Sequence, residues 1–168
     1  MVAVCITLAG CSNNTTPTGG MVSTSVVEEL NEKSTPEEPD PSGAVKAIYA
    51  QESMAEAITE AMDPAWLGEI IANPEFKAKE LYAKHSHPNG GLADVIIAKP
   101  HEGDEENMVS WLYRYQERRI SEFENYDILD AHTIAKNALV YEQGGYVILL
   151  MLSDNESAQD IIDQHIPQ

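Results

Sequence analysis

Apolar side chains recur at three- and four-residue spacing from Ala44 onward. Val45, Ile48, Ala55, Ile58 and Met62 mark one face of an amphipathic helix predicted over 44–62. Asp63-Pro64 has the form of an N-cap followed by proline at the first helical position, and Asn73-Pro74 repeats it. Two short helices are therefore predicted, over 64–72 and 74–84, carrying Trp66, Leu67, Ile70, Ile71, Phe76, Leu81 and Tyr82. His85-Ser86-His87-Pro88-Asn89-Gly90-Gly91 reads as a loop. Leu92 to Lys99 is a short β-branched apolar run stopped by Pro100, the pattern of a strand.

Acidic residues then open a longer helix from Asp104 to about Glu124, where the helix dipole favours them. Its core-facing set is Met108, Trp111, Leu112, Tyr115 and Phe123. A weaker helical pattern covers 128–136. Ala138–Tyr141 and Tyr146–Leu152 read as strands joined at Gln143-Gly144-Gly145, a hairpin signal. Ser153 and Glu156 form a capping-box pattern, opening a last helix that ends before Pro167. The elements sum to a single α+β domain over 44–168, with a three-stranded sheet covered by helices.

Residues 12–43 have a different character. Ser12 to Gly20 is too polar to bury a core, and Pro36, Pro39 and Pro41 alternate with Glu37, Glu38 and Asp40 in a self-repelling, extended pattern. A tether over 11–43 is expected. Ahead of it, residues 2–9 are apolar but far short of the roughly 20 residues that span a bilayer.

Charge narrows the partners. The 168 residues carry 28 acidic and 10 basic side chains, a formal charge of -18. Nucleic acid is excluded, because a polyphosphate needs clustered Lys and Arg, and the longest basic run is Arg118-Arg119. An anionic membrane surface is disfavoured on the same ground.

Leu8-Ala9-Gly10-Cys11 resembles the lipobox of bacterial lipoproteins. The resemblance implies a signal peptide over 1–10, cleavage before Cys11, and a diacylglycerol on the Cys11 sulfur, with two acyl chains giving stable anchoring. Cys5 would then leave with the signal and the mature chain would hold no thiol. The plainer alternative is two chance cysteines in an apolar tail.

A wider resemblance covers Asp63 to about His165. It rests on Leu92-Ala93-Asp94-Val95-Ile96-Ile97-Ala98-Lys99, on a long helix carrying Arg118 or Arg119, on Tyr126, on Asn137-Ala138-Leu139-Val140, and on Gly145-Tyr146-Val147-Ile148. In that order and spacing the chain resembles an uncharacterised domain family of small Gram-positive lipoproteins. The resemblance implies a βαββα-like core after the N-terminal helices, on an extracytoplasmic tether, and brings no activity with it.

Candidate chemistry is sparse. His85 and His87 could hold zinc or copper if a third ligand joined them, but His101 lies beyond the strand, roughly 26 Å away at about 3.3 Å per residue. The pair reads more simply as solvated. Glu102, Asp104, Glu105 and Glu106 lack the alternation and central glycine of a calcium loop and suit a helix N-terminus. Asp154 and Glu156 read the same way.

The most distinctive cluster is Tyr113, Arg114, Tyr115, Arg118 and Arg119. It would form a cationic patch able to hold an acidic peptide or wall polymer, with tyrosine as an apolar platform. The competing reading pairs these arginines with Glu117, Glu122 and Glu124 and lays their stems on the core.

The resulting expectation is a lipid-anchored protein on the extracytoplasmic face of the cell membrane. It would be held to the bilayer through acylated Cys11 and would use Arg114, Tyr115, Arg118 and Arg119 to bind an envelope protein or wall polymer. No cofactor, no metal and no catalytic residue are expected. The alternative is a small hydrolase or metal-dependent enzyme built on His85 and His87.

Overall fold

A computed structural model describes residues 38–87, 90–125 and 127–168. The lipobox-like segment with Cys11, the tether up to residue 37, Pro88, Asn89 and Tyr126 lie outside the described residues.

The elements in chain order are α1 (Pro41–Tyr49), β1 (Thr59–Ala61), α2 (Pro64–Ile70), β2 (Glu80–Ser86), β3 (Asp94–Lys99), α3 (Glu105–Phe123), α4 (Ala131–Lys136), β4 (Leu139–Gln143), β5 (Tyr146–Met151) and α5 (Asn155–His165). Single 3-10 turns precede β1 and α4, at Glu52–Met54 and Ile128–Asp130. The strands form one open sheet in the order β1-β2-β3-β5-β4, with every neighbouring pair antiparallel.

The α+β class stands, but the sheet has five strands rather than three. The two extra strands come from segments whose local pattern is helical. In 74–84, Ala78, Lys79, Glu80 and Leu81 favour a helix, yet Glu80–Lys84 pair with Val95–Lys99 of β3. Cross-strand burial overrides the propensity, with Leu81 and Ala83 packed on one core and Tyr82 on the other. His85 thereby lies on a strand and not in a loop.

The 44–62 periodicity joins residues that belong to different cores. Val45 and Ile48 pack beneath the sheet with α5, whereas Met62 packs above it with α2 and α3. α1 ends at Tyr49 and β1 carries the chain across the sheet edge. α1 begins at Pro41, because the Asp40 carboxylate accepts the Gly43 N–H at 2.8 Å and proline suits a first helical turn.

The sheet is covered on both faces. Ile96, Ala98, Val147, Leu149 and Met151 meet α2, α3 and α4, while Val95, Ile97, Ile148 and Leu150 meet α1 and α5. This explains why β3 and β5 read as continuous apolar runs instead of alternating ones. The β4–β5 hairpin closes on Gly144 and Gly145 at φ +56° and +79°, the two-residue turn that matches strand twist. A Cβ on Gly144 would fall 2.6 Å from Ile166 Cγ2. The cap of α5 is Asp154, which accepts from Ser157 N–H and Oγ–H, and not the Ser153–Glu156 box. The two ends of the domain meet where Asp40 N–H donates to the His165 carbonyl at 2.8 Å.

α2 stops in a Schellman motif: Asn73 N–H donates to Gly68 O at 2.8 Å and Ala72 N–H to Glu69 O at 3.1 Å. The left-handed position belongs to Ala72, at φ +54°, where glycine is the unstrained residue. Ala72→Gly is therefore expected to stabilise the fold by about 1 kcal/mol, read as a higher urea midpoint with unchanged slope.

Candidate functional site

The apolar stripe of α3 runs Met108, Leu112, Tyr115, Arg119, Phe123, all buried. Steps of three and four residues place the Tyr115 hydroxyl and the Arg119 guanidinium on the face against the sheet. Both reach Asp94, which is 0% exposed at the start of β3. Asp94 Oδ2 accepts from Tyr115 Oη at 2.6 Å and from Arg119 Nε at 2.9 Å. Oδ1 accepts from Ser86 N–H at 2.6 Å and Ser86 Oγ at 2.7 Å. Arg119 Nη2 donates to Ser86 Oγ at 3.1 Å, and Nη1 to Glu122 at 2.6 Å. The guanidinium also lies over the Phe123 ring, 5.1 Å from its centre.

Every polar group of this knot is thus engaged within the protein. Burial opposes the Arg119 charge, but the Asp94, Tyr115 and Glu122 groups outweigh it, so its pKa rises. Burial, followed by the Asp94 charge, pushes the Tyr115 hydroxyl well above the ordinary phenol value. Ser86 is fully buried with its hydroxyl committed to Asp94, so it presents no nucleophile to solvent. The chemistry of this cluster is structural: it ties the end of β2, the start of β3 and α3 together.

The arginine patch read from the sequence is therefore divided. Tyr115 and Arg119 (3% exposed) face inward and cannot touch a partner. Arg119 pairs with Glu122, as the competing reading had it. Arg114 and Arg118 are exposed one turn apart on the outer face of α3. With Glu117 and Ser121, and with Glu69 to Ala72 at the end of α2, they line a groove of about 500 Å³. Its apolar wall is Ile70 and Ile71.

The histidines are dispersed. His85 stacks on Trp66 at 4.0 Å and 21°, and Trp66 meets Tyr115 edge-on at 6.3 Å. His87 N–H donates to the Ile58 carbonyl at 2.9 Å as β2 ends. His101 lies at the far end of β3, past Pro100. Among the described residues, no group of three or more His, Cys, Asp or Glu could hold a metal ion. The Asp104–Glu106 acids sit at the N-terminus of α3, where Asp104 accepts from Asn107 Nδ2 at 3.1 Å.

A second polar cluster was not singled out in the sequence. Glu80 accepts from Tyr82 at 3.1 Å and from Tyr146 at 3.0 Å and pairs with Lys99 at 3.3 Å, and Lys99 lies over the Tyr146 ring. Burial, and then the bond to Glu80, pushes the Tyr146 hydroxyl up to about 12. Only the cross-strand register of β2, β3 and β5 brings these residues together.

Models of known protein families, curated proteins and solved structures were all compared with the chain, and none matches.

Removing one partner from a buried ion pair strands the other charge. Arg119→Met is expected to cost about 3 kcal/mol or more, and adding Asp94→Asn is expected to recover part of that loss. Urea midpoints of the two single variants and the double variant test this, and simple additivity would contradict the coupling.

Proposed function

We propose that the protein is a lipid-anchored binding module on the extracytoplasmic face of the cell membrane, which holds an acidic segment of another envelope protein. The observation that carries the binding reading is the division of α3. Its inner face is locked to the sheet by Tyr115 and Arg119, so Arg114 and Arg118 stand on a rigid helix beside a half-apolar groove. Two guanidiniums at (i, i+4) can each bind a carboxylate bidentately, and the half-buried Ile70 offers contact for an apolar neighbour, with the buried Ile71 beneath it. Rigid placement lowers the ordering cost of binding.

Glu69 and Glu117 in the same groove disfavour a ligand that is uniformly anionic, and so favour a peptide of mixed character. The anchor reading rests on Leu8-Ala9-Gly10-Cys11 and on the polar, proline-bearing stretch that leads to Asp40. A tether of that composition holds a domain away from the lipid surface.

In fractionated cells, Cys11→Ala is expected to move the protein out of the membrane fraction. Unchanged membrane association would refute the anchor. Separately, cross-linking in intact cells followed by mass spectrometry is expected to capture a protein partner. Arg114→Glu with Arg118→Glu should abolish that capture at unchanged thermal stability. Capture that survives the charge reversal would place the partner elsewhere, and loss of cell-wall association without any protein captured would make the acceptor a wall polymer.

A further inference from the structure

A second surface has the opposite chemistry. The two most exposed large aliphatic side chains among the described residues are Leu129, at 72%, and Ile58, at 57%. They are remote in sequence but adjacent in space, because they flank consecutive glycines. A Cβ on Gly90 would lie 3.1 Å from Ile58 Cβ, and one on Gly91 would lie 3.2 Å from Leu129 Cδ1. Leu129 and Asp130 both take left-handed backbone, at φ +52° and +58°, a conformation that aspartate tolerates but that is costly for leucine. That turn presents the leucine side chain to solvent.

Two grooves meet at Leu129. One, of about 370 Å³, is floored by Met54, Leu92 and Ala93 and carries Glu56. The other, of about 690 Å³, carries Asp130, Asp154 and Glu156. Leu129, Ile134 and Ser153 line both, so the surface is continuous. Its charged lining among the described residues is these four carboxylates, with no Lys, Arg or His.

We infer that this face docks a cationic amphipathic segment of another protein. An apolar side chain of the segment would seat against Ile58 and Leu129 over the Gly90–Gly91 backbone. Flanking Lys or Arg would meet Glu56 on one side and Asp130, Asp154 and Glu156 on the other. Charge complementarity selects this occupant. A second copy of the chain would bring the same four carboxylates and a net charge of -18, and an anionic lipid surface would be repelled. The face shares no lining residue with the Arg114–Arg118 groove, so it stands or falls independently of that reading.

The test uses the full-length chain and a fluorescent synthetic peptide of alternating Lys and Leu blocks at helical spacing. Polylysine and the Glu/Leu counterpart serve as controls. Anisotropy is expected to show salt-sensitive binding of the Lys/Leu peptide. Leu129→Gly removes the anchor while relaxing the backbone, so the fold is retained, and it should weaken binding at least about tenfold. Ile58→Ser and Asp130→Lys should each weaken it as well, whereas Arg114→Glu with Arg118→Glu should not.

Equal binding of polylysine would overturn the proposal by reducing the effect to charge alone. Equal binding of the Glu/Leu peptide would reduce it to apolar adhesion. Indifference to both Leu129→Gly and Ile58→Ser would place the contact elsewhere, and a concentration-dependent dimer dissolved by Leu129→Gly would assign the face to a second copy.

Discussion

A carboxylate taken wholly out of water must be given charge and hydrogen bonds in return, and in this fold Asp94 sets that requirement. Ser86, Tyr115 and Arg119 meet it from β2 and α3. A buried ion pair adds little net stability over a well-packed apolar substitute; its effect is geometric. The knot admits one register between β2 and β3 and one rotation of α3 about its axis. Slipping either would leave a buried charge without a partner. The outward direction of Arg114 and Arg118 is thus a consequence of what Tyr115 and Arg119 do on the opposite side.

Much of this was legible in the sequence, and the failures have specific causes. β3, β5 and α3 were found because two-sided burial or an uninterrupted stripe leaves a strong local pattern. β1 has three residues, too few for any pattern, and β2 is built from helix-favouring residues held extended by its neighbours. The division of the arginines was within reach. Position 119 is four residues from both Tyr115 and Phe123 and so belongs to the buried stripe, while Arg114 and Arg118 fall outside it. The partner of that buried charge was visible too, since Asp94 is the lone carboxylate in the apolar run from Leu92 to Ala98. What no local reading could supply is the meeting of Ile58, Gly90, Gly91 and Leu129, or of Glu80 with Tyr146. Both depend on the order in which the strands are assembled.

The described surface is therefore differentiated in spite of the strongly acidic composition. One groove concentrates exposed arginines beside isoleucines, and another face concentrates carboxylates around exposed aliphatics. The first is built on the body of α3 and the end of α2, and the second on turns and element ends around the Gly90–Gly91 backbone. Neither contains the saturated polar groups of the interior, which are spent on holding the fold.

The contact between Asp40 and His165 gives the domain a mechanical polarity. Any pull on the chain ahead of Asp40 is delivered first to the cap of α1 and its bond to the last turn of α5. The sheet is loaded only after α1 has been drawn from its place beside α5 beneath it. Under tension the seam between these two helices acts as the weak link, while the Asp94 knot, on the opposite face of the sheet, lies outside the initial load path.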